Sequence, residues 1–314
     1  MNEFLKDVWE GLSSPNKSLN SKYFYDEEGD RIFREIMDCP EYYLTNCELD
    51  IFVNQSKNIA QAINGNLTDF DLVELGPGDC TKSKYLLKEL LVTNKDFTYY
   101  PIDISENIIN QINTSLPNRV PGIKIHGLNG DYMAMLEKLN QLSTKNKVVL
   151  FLGSSIGNIP LAENPAFFRQ LRQFLRQGDM LITGFDLKKD SSTILAAYND
   201  EAGITKRFNI NLLKRINNTL GANFDLDQFE HSPIYDLVSG ACKSYLSSKI
   251  EQSVQIGSMG SIHFAKDELI DMEISQKYTV EDTFNIANQS GFTPIGEFYD
   301  SKGWFLDAMW QNNE

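Results

Sequence analysis

The chain has 314 residues, enough for one large domain or two smaller ones, and its 41% hydrophobic and 11% aromatic content indicates a packed globular protein. Acidic residues outnumber basic ones by 43 to 29, so the net charge is −14, which excludes nucleic acid and membranes as primary partners. The four cysteines fit no zinc spacing, and we find neither a signal peptide pattern nor an apolar span. We therefore expect a cytoplasmic protein without a metal.

Short β-rich runs alternate with helical patterns in the middle third of the chain. The clearest helix begins near Asn164, which we expect to cap it, and ends before Gly178. Strands separated by helices predict βαβ units and a parallel sheet. The predicted strands are residues 72–75, 97–104, 123–127, 147–153 and 180–185.

The alternation stops after Asp190 and resumes near the end of the chain. Residues 191 to about 250 are polar, helical in pattern and rich in asparagine, whereas a helix capped by Thr279 and two closing strands follow later. The prediction is an α/β protein with a Rossmann-like doubly wound sheet, residues 61–190 plus 277–314. A second, smaller α+β domain, residues 1–60 plus 191–276, is expected to pack over the ligand edge of that sheet.

A glycine-rich turn follows the first predicted strand. The segment Val73–Asp79 contains Gly76 and Gly78, and such a turn lets the backbone approach a ligand closely at a helix N-terminus. A dinucleotide fingerprint would need a third glycine at position 81, where Thr81 stands. The pattern E-x-G-x-G instead resembles motif I of the class I methyltransferases that use S-adenosyl-L-methionine.

Two acids follow the next strands in register with that turn. Asp103 ends the second strand, where an acid would accept hydrogen bonds from ribose hydroxyls, and Asp131 with Tyr132 follows the third, where an aromatic ring would stack on adenine. The alternative reading is that the glycines form only a tight turn and Asp103 only caps a helix. The three elements together favour a cofactor site.

Longer motifs cover most of the chain from about residue 15 onward. They are SKYFYDEEGDRIFREIMDCPEYYLTNCE (21–48), FLGSSIGN (151–158), AYNDEAGITKRFNINLLKRINNTLGANFD (197–225) and EISQKY (273–278). In content and order they resemble the histidine Nα-methyltransferase family, which makes hercynine for ergothioneine biosynthesis. The resemblance implies an enzyme that trimethylates the α-amino group of L-histidine, a small-molecule substrate, with S-adenosyl-L-methionine as the methyl donor. We expect the protein to be a monomer.

The resemblance also implies roles for individual residues. Those matching the family's cofactor contacts are Gly76, Lys82, Asp103, Asp131 and Tyr132. Those matching its substrate contacts are Asn158 and Tyr198 for the carboxylate, and Tyr42, Glu273 and Ser275 for the imidazole. Tyr25 and the carbonyl of Gly153 match positions beside the α-amino group, which makes them the candidate catalytic groups.

These residue types also suit the chemistry by themselves, although each has a simpler explanation. An imidazole offers one donor and one acceptor, which Glu273 and Ser275 complement, and positions two apart on a strand face the same way. Taken singly, the tyrosines are equally compatible with core positions, Asn158 with a turn cap and Glu273 with a solvated strand position.

One departure from the family pattern bears on the substrate. The insertion strand normally reads near I-E-M-H-L, but here Ser244 replaces the methionine, which would leave a smaller and more polar pocket wall. Two alternatives therefore stay open: methylation of another aromatic amino acid, such as a tryptophan derivative, or a catalytically silent cofactor-binding module. The pair of Glu273 and Ser275 favours imidazole, because an indole would leave a buried hydroxyl without a partner.

Overall fold

The structure, a computed structural model, describes residues 3–93 and 96–313. Over these residues the α-helices are α1 (Glu3–Ser13), α2 (Glu27–Met37), α3 (Tyr43–Asn66), α4 (Ser83–Thr93), α5 (Glu106–Arg119), α6 (Tyr132–Leu142), α7 (Asn164–Arg172), α8 (Ser191–Ala197), α9 (Ile204–Leu220) and α10 (Val280–Gln289). Short 3₁₀ turns cover Ser21–Phe24, Ser155–Asn158, Leu161–Glu163 and Leu226–Gln228.

The strands alternate with these helices as far as α7 and then cluster together. They are β1 (Phe70–Leu75), β2 (Thr98–Asp103), β3 (Lys124–Ile125), β4 (Leu128–Asn129), β5 (Asn146–Phe151), β6 (Met180–Asp186), β7 (Phe229–Tyr235), β8 (Ala241–Ser248), β9 (Gln252–Ile256), β10 (Gly260–Phe264), β11 (Leu269–Gln276), β12 (Phe292–Tyr299) and β13 (Phe305–Asn312).

The chain divides into two compact units. Unit 1 is Met1–Tyr43 with Lys189–Gln276, and unit 2 is Leu44–Lys188 with Lys277–Glu314. The N-terminal boundary lies at the start of α3, whereas the sequence placed it at residue 60. The physical reason is that α3 is one uninterrupted helix, and residues such as Ile51, Phe52 and Ile59 along it are fully buried.

Unit 2 contains the predicted Rossmann-like sheet. Its strand order is β12-β13-β6-β5-β1-β2-β3, with β4 also paired to β2. The pairs from β3 to β6 are parallel, and β13 runs antiparallel to β6. From β1 the order runs outward in both directions, and right-handed crossovers then put helices on both faces, so the sheet is doubly wound. All residues of β1 and β6 are buried, as strands covered on both faces require.

The switch in strand order positions the candidate site. β1 continues to β2 on one side, and the chain returns to add β5 on the other side of β1. Connections that leave in opposite directions open a crevice at the carboxyl ends of the two central strands, and ligands bind in such crevices in open α/β sheets. Gly76 follows β1 and Gly153 follows β5, so both lie at this edge.

Unit 1 combines helices with small antiparallel sheets. Its three-stranded sheet has the order β11-β8-β7, and β9 pairs with β10. Phe208, Leu212 and Ile216 form one buried stripe on α9, at the spacing of a helix face, and join a core that includes Phe4 of α1 and Ile32 of α2. Burying each such side chain contributes about 1.5–3 kcal/mol.

The structure corrects two details of the sequence interpretation. Residues 191 to about 250 were expected to be helical, but helix extends only to Leu220, and β7 and β8 follow. The buried face of β8 carries Cys242, Ser244, Leu246 and Ser248, which are too weakly apolar to reveal an alternating strand pattern.

The second correction concerns the helix near residue 164. The cap position of α7 is Glu163, and Asn164 is its first residue. The Asn164 amide instead donates to the Ile159 and Pro160 carbonyls and accepts from the Tyr278 hydroxyl at 2.8 Å. The helix ends at Arg172, well before Gly178.

Three further observations concern side chains and helices across the described part of the chain. The four cysteines form no disulfide and are all buried, as expected of small hydrophobic residues. Among residues 3–93 and 96–313, no group of three or more His, Cys, Asp or Glu side chains is arranged to hold a metal ion. Within the same ranges, none of the helices combines the length and apolar character needed to cross a bilayer.

Candidate active site

The glycine turn after β1 has the conformation that its sequence predicts. Gly76 and Gly78 have φ values of +68° and +56°, which L-residues rarely adopt. The Gly76 amide donates to the Ile102 carbonyl at 2.9 Å, so the turn is anchored to the end of β2. The loop therefore lies across the carboxyl ends of two adjacent strands.

The two acids that follow lie at the same edge and are linked through the backbone. The Gly130 amide donates to the Asp103 carbonyl at 2.9 Å, joining the ends of β2 and β4. The Asp103 carboxylate accepts from the Ser105 amide at 2.8 Å, and the Asp131 carboxylate caps α6 by accepting from the Met133 amide at 2.9 Å. Each acid thus has a local structural role as well as a place at the ligand edge.

Tyr132 faces the glycine turn across a narrow gap. A methyl group built on Gly76 would lie 2.8 Å from the Tyr132 hydroxyl oxygen, so only glycine leaves this space open. Burial, together with the charges of Asp103 and Asp131, raises the pKa of Tyr132, which keeps its hydroxyl neutral and able to donate. The turn, two acids and an aromatic ring fit a ligand that carries a ribose and an adenine.

Beside this turn, Glu48 links Lys82 to Gly153. No role was assigned to Glu48 from the sequence. Glu48 on α3 is fully buried, and it accepts hydrogen bonds from the Lys82 ammonium and, at 2.7 Å, from the Gly153 amide. Lys82 Nζ lies 3.7 Å from where a Cβ on Gly153 would be. Gly153 has a φ of +74° and is exposed, as is Asn158 at the end of the next 3₁₀ turn.

Glu74, the acid of the E-x-G-x-G pattern, is buried under the turn. Its carboxyl accepts a hydrogen bond from the Tyr99 hydroxyl at 2.5 Å. Burial raises the pKa of Glu74 to about 7, although the Tyr99 hydrogen bond and the nearby Lys82 charge act against the rise. Burial therefore favours the protonated form of the carboxyl at this position.

In unit 1 the structure brings three of the predicted substrate residues together. The hydroxyls of Tyr198 and Ser275 lie 2.6 Å apart in a hydrogen bond, and both residues are almost fully buried. The Tyr42 ring packs edge-on against the Tyr198 ring, with centroids 6.1 Å apart. A phenol at the end of α8, a hydroxyl of β11 and a second phenol ahead of α3 therefore form one polar group.

Glu273 lies on the same strand face as Ser275. In the pairing of β11 with β8, Glu273 is opposite Ser244 and Ser275 is opposite Cys242, so the two residues alternate with Ile274 as predicted. A register shift between Asp271 and Glu273 marks a bulge just before this pair. Bulges often redirect side chains next to active sites. Ser244, the departure from the family pattern, is therefore a direct cross-strand neighbour of Glu273.

Tyr25 lies in an aromatic group of unit 1. Its ring packs edge-on against Phe33 and Phe208, with centroids 5.6 and 5.9 Å away. The residue remains 37% exposed, so the ring is held by packing while part of the side chain stays accessible. This is compatible with contact to a ligand.

A buried histidine forms a hydrogen bond with the Tyr198 backbone, and no role was assigned to it from the sequence. The His231 Nε2 atom lies 2.8 Å from the Tyr198 carbonyl oxygen, so this nitrogen carries the hydrogen and donates. Nδ1 is buried without a partner among the described residues. Burial lowers the pKa of His231 despite the hydrogen bond to Tyr198, and the ring is neutral. A lone histidine in a weakly patterned strand offered no signal for this role.

Comparisons with known proteins indicate the family of this chain. Residues 4–312 match a family model described as histidine-specific, SAM-dependent methyltransferase. A histidine N-alpha-methyltransferase from Mycolicibacterium smegmatis is 32% identical over 96% of this chain and 92% of that protein. Ergothioneine biosynthesis protein 1 of Schizosaccharomyces pombe is 30% identical over 89% of this chain, which corresponds to 37% of the longer protein.

A further relative is named for a different substrate. An L-tryptophan methyltransferase from Psilocybe serbica is 26% identical over 98% of this chain and 92% of that protein, a lower identity than that of the histidine enzyme. The family model and the Mycolicibacterium smegmatis relative agree in description, and each matches nearly the whole of this chain. The chain therefore belongs to the family of histidine-specific methyltransferases that depend on S-adenosylmethionine.

Proposed function

We propose that this protein transfers three methyl groups in succession from S-adenosylmethionine to the α-amino nitrogen of L-histidine, giving hercynine for ergothioneine biosynthesis. The observation that carries the proposal is the arrangement on β11. There, Glu273 and Ser275 share one face, and Ser275 is hydrogen-bonded to Tyr198. Family membership supports the reaction class, and this polar face offers an acceptor and a donor that would complement the two nitrogens of an imidazole.

The substrate contacts follow from the chemistry of histidine. The imidazole N–H would donate to the Glu273 carboxylate, and its other nitrogen would accept from the Ser275 hydroxyl. The Tyr42 ring would pack beside the imidazole. The substrate carboxylate would accept from the amide of Asn158 and the phenol of Tyr198, which are neutral donors; the Tyr198 hydrogen would then turn from Ser275 to the carboxylate.

The chain's task at the reacting nitrogen is to position it and to keep water away. S-adenosylmethionine supplies an electrophilic methyl group on a sulfonium, whose positive charge is discharged when the sulfur–carbon bond breaks. The neutral amine would attack the methyl carbon in line with the breaking sulfur–carbon bond. The thioether leaves as a neutral group, so it requires no acid. The Gly153 carbonyl and the Tyr25 hydroxyl would orient the nitrogen lone pair, and Tyr25 would let the displaced proton escape to solvent.

In this proposal the two units have different binding tasks. Unit 2 would hold the cofactor at the loop that contains Gly76. Asp103 would bind the ribose, and Asp131 with Tyr132 would bind the adenine. The Lys82 ammonium would bind the carboxylate of the cofactor's amino acid portion. Unit 1 supplies the residues for the imidazole. We further propose that the enzyme acts as a cytoplasmic monomer; four buried cysteines that form no disulfide are typical of a reducing compartment. Light scattering after gel filtration tests the monomer.

The decisive experiment is a methylation assay with mass detection. The purified protein is given S-adenosylmethionine with L-histidine, with its Nα-monomethyl and Nα-dimethyl forms, or with L-tryptophan. We expect three successive methyl additions to histidine and a kcat/KM for tryptophan lower by about 100-fold or more, because indole has no ring nitrogen that could accept a hydrogen bond from the Ser275 hydroxyl. Equal or faster methylation of tryptophan would overturn the assigned substrate. Cofactor binding without product from any amine would indicate a silent binding module.

A paired substitution tests the β11 site. In Glu273→Gln the acceptor loses its charge, so kcat/KM for histidine should fall by about 10- to 100-fold. The control is Glu230→Gln, which removes an exposed carboxylate from β7 of the same sheet and should change kcat/KM by less than about twofold. Equal effects of the two variants would remove Glu273 from the substrate site.

A further inference from the structure

Unit 2 contains a group of charged residues in which two buried acids, next to Lys82, have no assigned role in methyl transfer. We call Glu48, Lys82 and Asp307 the acid–lysine cluster. Glu48 accepts from the Lys82 ammonium through one carboxylate oxygen and from the Gly153 amide, at 2.7 Å, through the other. Glu48 and Asp307 are both fully buried, on α3 and β13, and Lys82 is 24% exposed.

The two acids meet over a glycine. Gly184 on β6 pairs with Asp307 on β13. A methyl group on Gly184 would overlap Oε1 of Glu48 and lie 3.2 Å from Oδ1 of Asp307. The absence of a side chain at Gly184 thus leaves the space in which the two carboxyl groups approach each other.

The protonation states within the cluster follow from this geometry. Among the described residues, neither oxygen of Asp307 has a hydrogen-bond donor, and the nearest charged acid is Glu48. Burial and the Glu48 carboxylate raise the pKa of Asp307 far above its usual range, and Lys82 only partly opposes this. Burial beside Glu48 therefore favours the protonated form of Asp307.

Lys82 depends on its acidic neighbours for its charge. Burial acts to lower the pKa of Lys82, but its acidic neighbours, and Glu48 above all, raise that pKa above its ordinary value. Glu48, Asp307 and Glu74 are the ionisable groups that face Lys82 from α3, β13 and β1. Glu48 is the only one of the three that forms an ion pair with Lys82 among the described residues.

We propose that Glu48 is a positioning residue of the methyl-transfer site, which holds Lys82 as an ammonium ion toward the carboxylate of the cofactor and fixes the Gly153 peptide through the same carboxylate. The inference rests on the proposed function, in which Lys82 binds the cofactor and the Gly153 carbonyl orients the amine. Glu48 itself acts through these two groups.

The test measures binding of S-adenosylhomocysteine by calorimetry between about pH 7 and about pH 9.5, with no amine present. In the wild-type protein Lys82 stays charged, so the dissociation constant should be nearly constant over this range. In Glu48→Gln the amide still accepts from Gly153 but carries no charge, so burial lowers the pKa of Lys82. We expect the dissociation constant of this variant to rise about tenfold across the range as Lys82 loses its proton.

A control variant separates this effect from the general loss of a buried acid. Asp71 is buried at the amino end of β1, where it accepts from the Thr98 amide and the Ser143 hydroxyl. Asp71→Asn should leave binding independent of pH. A pH-independent constant in Glu48→Gln, or the same pH dependence in Asp71→Asn, would overturn the proposal.

A second variant covers the case in which Glu48→Gln does not fold. Glu48→Asp keeps the charge but withdraws the carboxylate by one methylene, so binding should weaken by about fivefold at every pH. Binding equal to that of the wild type would show that positioning by Glu48 is not required, and would overturn the inference.

The proposed function can fail separately from this inference. A wild-type protein that binds S-adenosylhomocysteine but methylates no histidine would overturn only the assigned substrate. A wild-type protein that does not bind it would overturn the cofactor contact of Lys82 and the inference with it.

Discussion

Replacing Glu74 with glutamine should stabilise unit 2, and the gain should grow as the pH rises. The side chain of Glu74 is almost fully buried, and the Tyr99 hydroxyl donates to it at 2.5 Å. Glutamine has nearly the same shape and keeps a carbonyl oxygen to accept that hydrogen bond. The substitution therefore removes the ionisation of the carboxyl while it preserves the main contact.

The magnitude follows from the pKa of Glu74 in the folded protein. Burial raises this pKa from its ordinary value of 4.5 to about 7, and a shift of this size corresponds to about 3 kcal/mol. Below about pH 4.5 both the folded and the unfolded chain carry the proton. Between that pH and about 7 the unfolded chain loses it while the folded chain keeps it, so the wild-type free energy of unfolding falls as pH rises. Above about pH 7 the full cost is present, and Glu74→Gln avoids it.

Urea unfolding followed by tryptophan fluorescence tests this expectation, because Trp310 lies in the core of unit 2. The difference in unfolding free energy between Glu74→Gln and wild type should increase by about 2–3 kcal/mol from about pH 5 to about pH 8. The matched control is Glu297→Gln on β12, where an exposed carboxylate accepts from the Tyr299 hydroxyl at 2.8 Å. A difference that does not change with pH, or that changes equally in the control, would refute the reasoning.

Three further outcomes are expected. Gly76→Ala should weaken S-adenosylhomocysteine binding by about tenfold or more in calorimetry, because the left-handed backbone costs about 1–2 kcal/mol and the new methyl group lies 2.8 Å from the Tyr132 hydroxyl; unchanged affinity would place the cofactor elsewhere. Wild-type stability should fall relative to His231→Gln in urea unfolding below about pH 6.5, because the unfolded imidazole binds a proton that the ring buried against the Tyr198 carbonyl does not, and parallel curves would contradict this. Tyr25→Phe should lower kcat more than it raises KM for histidine in steady-state assays, and an unchanged kcat would remove Tyr25 from the reaction.

The cofactor edge could be predicted from the sequence because its signals are local. Gly76 and Gly78 have positive φ values, which a seven-residue segment containing E-x-G-x-G already implied. Asp103 and Asp131 each follow a strand, and the ends of parallel strands meet at one edge of a sheet whatever the remaining packing is. The i, i+2 spacing of Glu273 and Ser275 likewise predicted a shared strand face.

Other parts of the site carried no comparable local signal. Asp307 stands alone in an apolar run, and Glu48 closes a motif without any indication of its partners. Residues 48, 82 and 307 are far apart in the chain and meet only because α3, the loop after β1 and β13 pack together in unit 2. His231 lies in a strand whose neighbour β8 buries mostly small and polar side chains, which hid the alternation from the sequence interpretation.

The sequence by itself determined the alternation of strands and helices, the glycine turn and the family motifs, because each depends on neighbouring residues and on the short range of backbone sterics. It also determined the high acidity, although that charge has no assigned part in the reaction. The tertiary structure alone decided which distant acids meet, which of them holds a proton, and where the boundary at α3 falls. The physical reason is that protonation follows from burial and from charges a few ångströms away in space, and those neighbours exist only once the chain has folded.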